Sequence, residues 1–209
     1  MSENNCMGRR RFLSFIFPLV SVCFVLGSCS APDITPVPTP APEPESPGLQ
    51  QWVADGVIYS EEYAGAEKYG DFEIRWRNDE QYIYIGIRVK TDGWVSVAFQ
   101  PGTRMKDADM ILGLVENNEP VIFDLFSTGD FGPHYSDEEL GGTNDILEFD
   151  GSEDEEYTVI EFKRALNSGD AYDLDVLPGE NKIIWAFGSS DDVTRKHFSR
   201  GYGQITIKS

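Results

Sequence analysis

Met105 stands in Pro101-Gly102-Thr103-Arg104-Met105-Lys106-Asp107, among polar neighbours that leave no core packing to call for a thioether. His197 stands in a second polar stretch, Thr194-Arg195-Lys196-His197-Phe198-Ser199-Arg200-Gly201, just before the last apolar segment. The chain has one other histidine, His134, in Gly132-Pro133-His134-Tyr135. A thioether and an imidazole are ligands that iron accepts from its two axial sides. With both positions filled no site is open to oxygen, so such an iron suits electron transfer better than oxygen activation. Met105 and His197 are therefore the candidate pair. His134 follows a Gly-Pro break and precedes Asp137-Glu138-Glu139; it is the rival ligand and reads as a solvated loop histidine.

Other chemistries find little support. All three cysteines, Cys6, Cys23 and Cys29, lie in the first 29 residues, and there is no CxxCH for covalent haem attachment. Two histidines far apart, without HExxH or a nearby cysteine, make a zinc enzyme a poor reading. GxSxG, P-loop and Rossmann patterns are absent. Asp170, Asp173 and Asp175 resemble a turn that offers oxygens to Ca²⁺. Their spacing is not that of an EF-hand loop, and nearby Gly and Pro favour turn capping, so Ca²⁺ is the weaker expectation.

The elements that must carry these residues read as strands. Val95, Val97 and Phe99 alternate with Trp94, Ser96 and Ala98, and Pro101-Gly102 ends that run. Ala108 to Val115 reads as the next strand. Phe72, Ile74 and Trp76 alternate with charged residues, as do Ile83, Ile85, Ile87 and Val89 with Tyr82, Tyr84, Gly86 and Arg88. Further runs are Val121–Phe126, Ile146–Phe149, Tyr157–Phe162, Asn181–Phe187 and Gln204–Ile207. Gly151 to Glu155 reads as a turn, and Arg164-Ala165-Leu166 as the start of a helical turn ended by Gly169. Short strands at this spacing, with no long amphipathic helix, predict a single all-β, antiparallel immunoglobulin-like β-sandwich domain over residues 49–209.

GWVSVAF, a loop methionine and then ADMILG resemble the DOMON domain, a β-sandwich haem- or sugar-binding module found in dopamine β-monooxygenase and in the cytochrome domain of cellobiose dehydrogenase. Asp55-Gly56, Trp76 before a turn, Phe162 to Leu166 with Gly169-Asp170 and Asp173, and Ile184-Trp185-Ala186-Phe187-Gly188 extend the resemblance from about Asp55 to Ile207. It implies non-covalent haem b held by Met105 and His197, with Trp94, Phe99, Met110, Phe198 and Tyr202 as pocket walls. Arg104, Arg195 or Lys196 would pair with the propionates. It implies an electron-transfer module rather than an enzyme, with a redox partner such as a membrane quinone-linked cytochrome or another electron carrier. The same resemblance leaves a second reading open. In it the module binds carbohydrate, a polysaccharide included, without haem, and Trp52, Tyr82, Tyr84 or Trp94 stack on sugar rings.

Arg9–Arg11, the apolar run Phe12 to Leu26, and Leu26-Gly27-Ser28-Cys29 resemble a bacterial lipoprotein signal. The expectation is a signal peptide over 1–28, lipidation of Cys29, and a Pro-rich linker over 29–48 holding an extracytoplasmic, lipid-anchored domain on a bacterial membrane. Seven prolines between Pro32 and Pro47 favour an extended linker. The chain of 209 residues carries a net charge of −19. Phosphate backbones would be repelled, so nucleic acid is not an expected partner; solubility or steering of a cationic partner fits better.

Overall fold

The computed structural model describes residues 48–209. The expected signal peptide, Cys29 and the linker up to residue 47 lie outside the described residues. Two antiparallel sheets face each other. The first has strand order β1 (Gly65–Tyr69), β2 (Phe72–Asn78), β3 (Tyr82–Val89), β9 (Thr158–Ala165), β8 (Ile146–Glu153). The second runs β11 (Ser199–Ile207), β10 (Gly179–Phe187), β4 (Val95–Phe99), β5 (Ala108–Glu116), β6 (Glu119–Ser127), β7 (His134–Ser136). This is the antiparallel β-sandwich that the alternating pattern predicts.

The alternation explains the layering. Phe72, Ile74, Ile83, Ile85, Ile87, Ile160 and Phe162 of one sheet meet Val95, Val97, Phe99, Ile111, Ile183 and Ile205 of the other in one continuous core. Each is at most 1% exposed, so each contributes roughly 1.5–3 kcal/mol of apolar burial. Gly113 marks a point of close approach: a Cβ there would lie 2.8 Å from Ile160 of the facing sheet.

The strands are longer than the sequence suggests at several ends. β8 continues through Gly151 to Glu153, and the turn is confined to the hairpin tip, where Asp154 Oδ1 accepts the backbone N–H groups of Glu156 (2.8 Å) and Tyr157 (2.7 Å). Arg164 and Ala165 belong to β9, not to a helical turn. Arg164 stays in the strand because its side chain enters the interior, with 1% exposure, against buried carboxylates. α1 (Asp137–Leu140) is a single turn begun by a capping box between Ser136 and Glu139.

The segment before β1 is pinned to the outer face of the first sheet by Glu161 of β9. Its carboxylate accepts the backbone N–H groups of Asp55 (3.2 Å) and Gly56 (3.0 Å) and the Tyr63 hydroxyl. Burial, more than the nearby Asp55 and Glu62 charges, pushes Glu161 up to about 7. A carboxyl raised on folding binds a proton more tightly in the native state. Its contribution is therefore full below about pH 4.5 and is lost as pH rises through about 7. Glu161→Gln is expected to flatten that part of the melting-temperature profile, which reflects at most about 3 kcal/mol. An unchanged slope between those pH values would exclude Glu161 as its source.

Candidate functional site

The outer face of the second sheet is the floor of a cavity of about 700 Å³, within the size range of small-molecule sites. Ser96 and Ala98 of β4, Met110 and Leu112 of β5, and Ile184 and Ala186 of β10 form this floor. Register explains the set: Ala98 pairs with Ile184 and Met110, and Ser96 with Ala186 and Leu112. With Val95, Val97 and Phe99 turned inward, the outward positions of β4 are small, leaving a flat apolar floor. Trp94, 6% exposed, packs with Leu112 at one side of it.

Three loops raise the walls. The β4–β5 loop brings Arg104 and Met105, the segment before β7 brings Phe131 to His134, and the β10–β11 loop brings Val193 to His197. Met105 is half-buried between exposed neighbours. Its loop is closed by Gly102 N–H to Lys106 O (2.8 Å) and fixed to β6 by Asp107 N–H to Ser127 O (2.8 Å). Arg104 (φ 60°) and Asp107 (φ 58°) bracket Met105 in the left-handed region. Such backbone is costly for non-glycine residues and clusters at functional sites. The His197 loop is tied down by Phe198 N–H to Phe187 O (2.7 Å) and Gly188 N–H to Trp94 O (2.8 Å).

The cavity thus gathers Met105, His197, Trp94, Met110 and Tyr202 as the sequence suggests. Two expected wall residues are elsewhere. Phe99 is fully buried in the core, because it shares the inward face with Val95 and Val97. Phe198 is 73% exposed and leans on Phe187, with ring centroids 6.0 Å apart, outside the cavity lining. His134, read as a solvated loop histidine, is exposed but begins a strand rather than sitting in a loop. It pairs with Ser127 at the start of β7 and lines the same cavity, near enough to His197 for their charges to interact. Its proximity was hidden in the sequence because it depends on how β7 folds back on β6.

Electrostatics set this cavity apart from the rest of an acidic chain. Arg104, Arg195, Lys196 and Arg200 line it, and among the described residues no aspartate or glutamate does. Partial burial, then the Arg200 and Lys196 charges, push His197 below the ordinary imidazole range. Burial, then His197, does the same for His134. Both shifts favour the neutral imidazole, the form that binds metals. Thioether and imidazole nitrogen over a flat apolar floor, with cations at the rim, form a donor set that fits a planar, apolar, anionic metal chelate.

The aromatics considered for sugar stacking are largely engaged with one another. Trp52 is buried, donates Nε1–H to the Tyr63 hydroxyl (2.9 Å) and packs on Tyr84 at 5.1 Å. Lys163 Nζ covers the Tyr82 ring at 4.6 Å.

Residues 68–188 match the DOMON domain family. The chain belongs to the DOMON family. Met105 falls inside the matched span and His197 beyond it. Among DOMON relatives, mouse DBH-like monooxygenase protein 1 is 27% identical over 122 residues, 58% of this chain and 19% of that protein. MOXD1 homolog 1 of Drosophila melanogaster is 25% identical over 130 residues, 59% of this chain and 18% of that protein. The chain thus spans about a fifth of the length of the curated relatives it matches. The cytochrome b domain of pyranose dehydrogenase from Coprinopsis cinerea shares the fold, with a TM-score of 0.50 and 15% identity over 65% of this chain and 76% of that domain.

Proposed function

We propose that this DOMON domain binds haem b in the cavity on the second sheet and passes single electrons, with Met105 and His197 as axial ligands. The observation that carries the reading is the meeting of a loop thioether and an imidazole in one cavity lined also by Arg104, Arg195, Lys196 and Arg200. The likeness in fold to a cytochrome b domain supports it. When bound, the haem supplies a one-electron couple, and a thioether ligand biases it toward the ferrous state. The chain's own residues bind and shield it. Trp94, Leu112 and Met110 exclude water from the floor, and Arg104, Arg195, Lys196 and Arg200 offer charge-assisted hydrogen bonds to its carboxylates.

The cationic rim argues against a neutral sugar as the primary ligand, since a sugar needs no counter-charge. The module is not an enzyme in this account. Lipidation of Cys29 and the Pro-rich linker would hold it at an extracytoplasmic membrane face, within reach of a quinone-linked cytochrome or another carrier.

Titration of haemin into the purified chain tests the proposal. The expected result is saturation at one haem per chain, with a sharp Soret band and split visible bands on dithionite reduction. A folded chain that takes up no haem would overturn it and turn attention to glycan binding.

A further inference from the structure

A second cluster lies on the inner side of the sheet that carries the cavity. Asp109 of β5, Asp124 of β6 and Asp173 of the β9–β10 loop are 0%, 3% and 8% exposed. They bring carboxylate oxygens within 4.8 Å of one another. Asp137, at the start of α1 and 1% exposed, stands outside that grouping but close enough to Asp124 and Asp173 for their charges to interact. Of the triplet Asp170, Asp173 and Asp175, only Asp173 joins it. Asp170 accepts backbone N–H groups of Tyr172 and Thr143 (2.8 Å each) as a turn cap, and Asp175 is exposed.

The protein satisfies part of this cluster. Arg164 Nη1 lies 2.6 Å from Asp109 Oδ2 and Nη2 lies 3.4 Å from Asp173 Oδ1. Leu174 N–H donates to Asp109 Oδ2 (3.0 Å) and Asp145 N–H to Asp124 Oδ2 (2.8 Å). Asp109 Oδ1, Asp124 Oδ1 and both oxygens of Asp137 and Asp173 are buried and accept no hydrogen bond among the described residues. Leaving buried carboxylate oxygens unpartnered is strongly unfavourable. Three aspartates face one guanidinium, so a single arginine cannot neutralise them.

We propose that Asp109, Asp124 and Asp173 bind one hard divalent cation of the Ca²⁺ class, with Asp137 adding negative charge beside them. The donors are all oxygen, which disfavours zinc and copper. Asp109 Oδ1, Asp124 Oδ1 and Asp173 Oδ2 make neither a hydrogen bond nor an ion pair among the described residues, and they offer three carboxylate oxygens of the kind Ca²⁺ takes in flexible geometry. Mg²⁺ prefers to keep several waters, and a buried inter-sheet site gives little room for them. The cation would join β5, β6 and the β9–β10 loop. Asp109 immediately precedes Met110, so it would also brace the cavity floor from beneath. None of this depends on haem.

The test uses the purified full-length chain, stripped with EGTA and folded, titrated with Ca²⁺ alone or Mg²⁺ alone at pH 7.5. The expected result is one calorimetric Ca²⁺ site. At about a hundredfold excess over Kd the melting temperature should rise by roughly 5–10 °C, and less with Mg²⁺. Asp124→Asn should abolish the rise, and Asp154→Asn at the exposed hairpin tip should keep it. Absence of stoichiometric Ca²⁺ binding would overturn the proposal. So would a thermal shift that survives Asp124→Asn.

Discussion

His197→Ala is expected to remove the low-spin haem spectrum and to weaken haem binding about a hundredfold, roughly 3 kcal/mol. The imidazole is the stronger donor of the pair, and the loop that carries it is held at both ends by backbone hydrogen bonds rather than by the ring itself. The fold should therefore survive, and circular dichroism of the variant should match the parent. Met105→Ala should act differently. The softer thioether contributes less to affinity, but its loss removes a preference for ferrous iron. The potential should fall by on the order of 100 mV, within the roughly 0.8 V that axial ligands span. His134 sets the alternative: if it is the second ligand, Met105→Ala leaves the potential in place and His134→Ala moves it.

Arg164→Met is expected to cost about 3–5 kcal/mol in urea unfolding at pH 7.5, because it strips the one buried cation from a group of buried aspartates. The guanidinium is 1% exposed and 2.6 Å from Asp109, so removing it leaves charge that solvent cannot screen. Removing Asp109 together with Arg164, as Asp109→Leu/Arg164→Met, should cost less than Arg164→Met alone, since the double change deletes a partner as well as a charge. A loss under about 1 kcal/mol for Arg164→Met would mean that the carboxylates are already neutralised by other means.

Much of the sandwich was legible because burial on one face imposes period two on sequence. Phe72–Trp76, Ile83–Val89 and Val95–Phe99 carry that signal directly. β1 did not: Gly65-Ala66-Glu67-Lys68-Tyr69 lies at the sheet edge with three exposed residues in its middle, so nothing in it alternates. Arg164 misled because an arginine in the interior is intelligible only once Asp109, 55 residues earlier, is beside it. At the site, Met105 and His197 stood out as chemically odd residues in polar loops, and both reach the cavity. Phe99 was separable in principle, since the alternation that exposes Ser96 and Ala98 to the cavity must turn Phe99 away. His134 and the convergence of the three aspartates depend on strand pairing between distant segments, and no local spacing records it.

The most direct test of the central claim is the near-infrared magnetic circular dichroism of the ferric, haem-loaded chain, where the charge-transfer band reports the axial pair. A band of the methionine–histidine type, lost in Met105→Ala, is the predicted result. A bis-histidine band that survives Met105→Ala and disappears in His134→Ala would contradict Met105 as the ligand and give the position to His134.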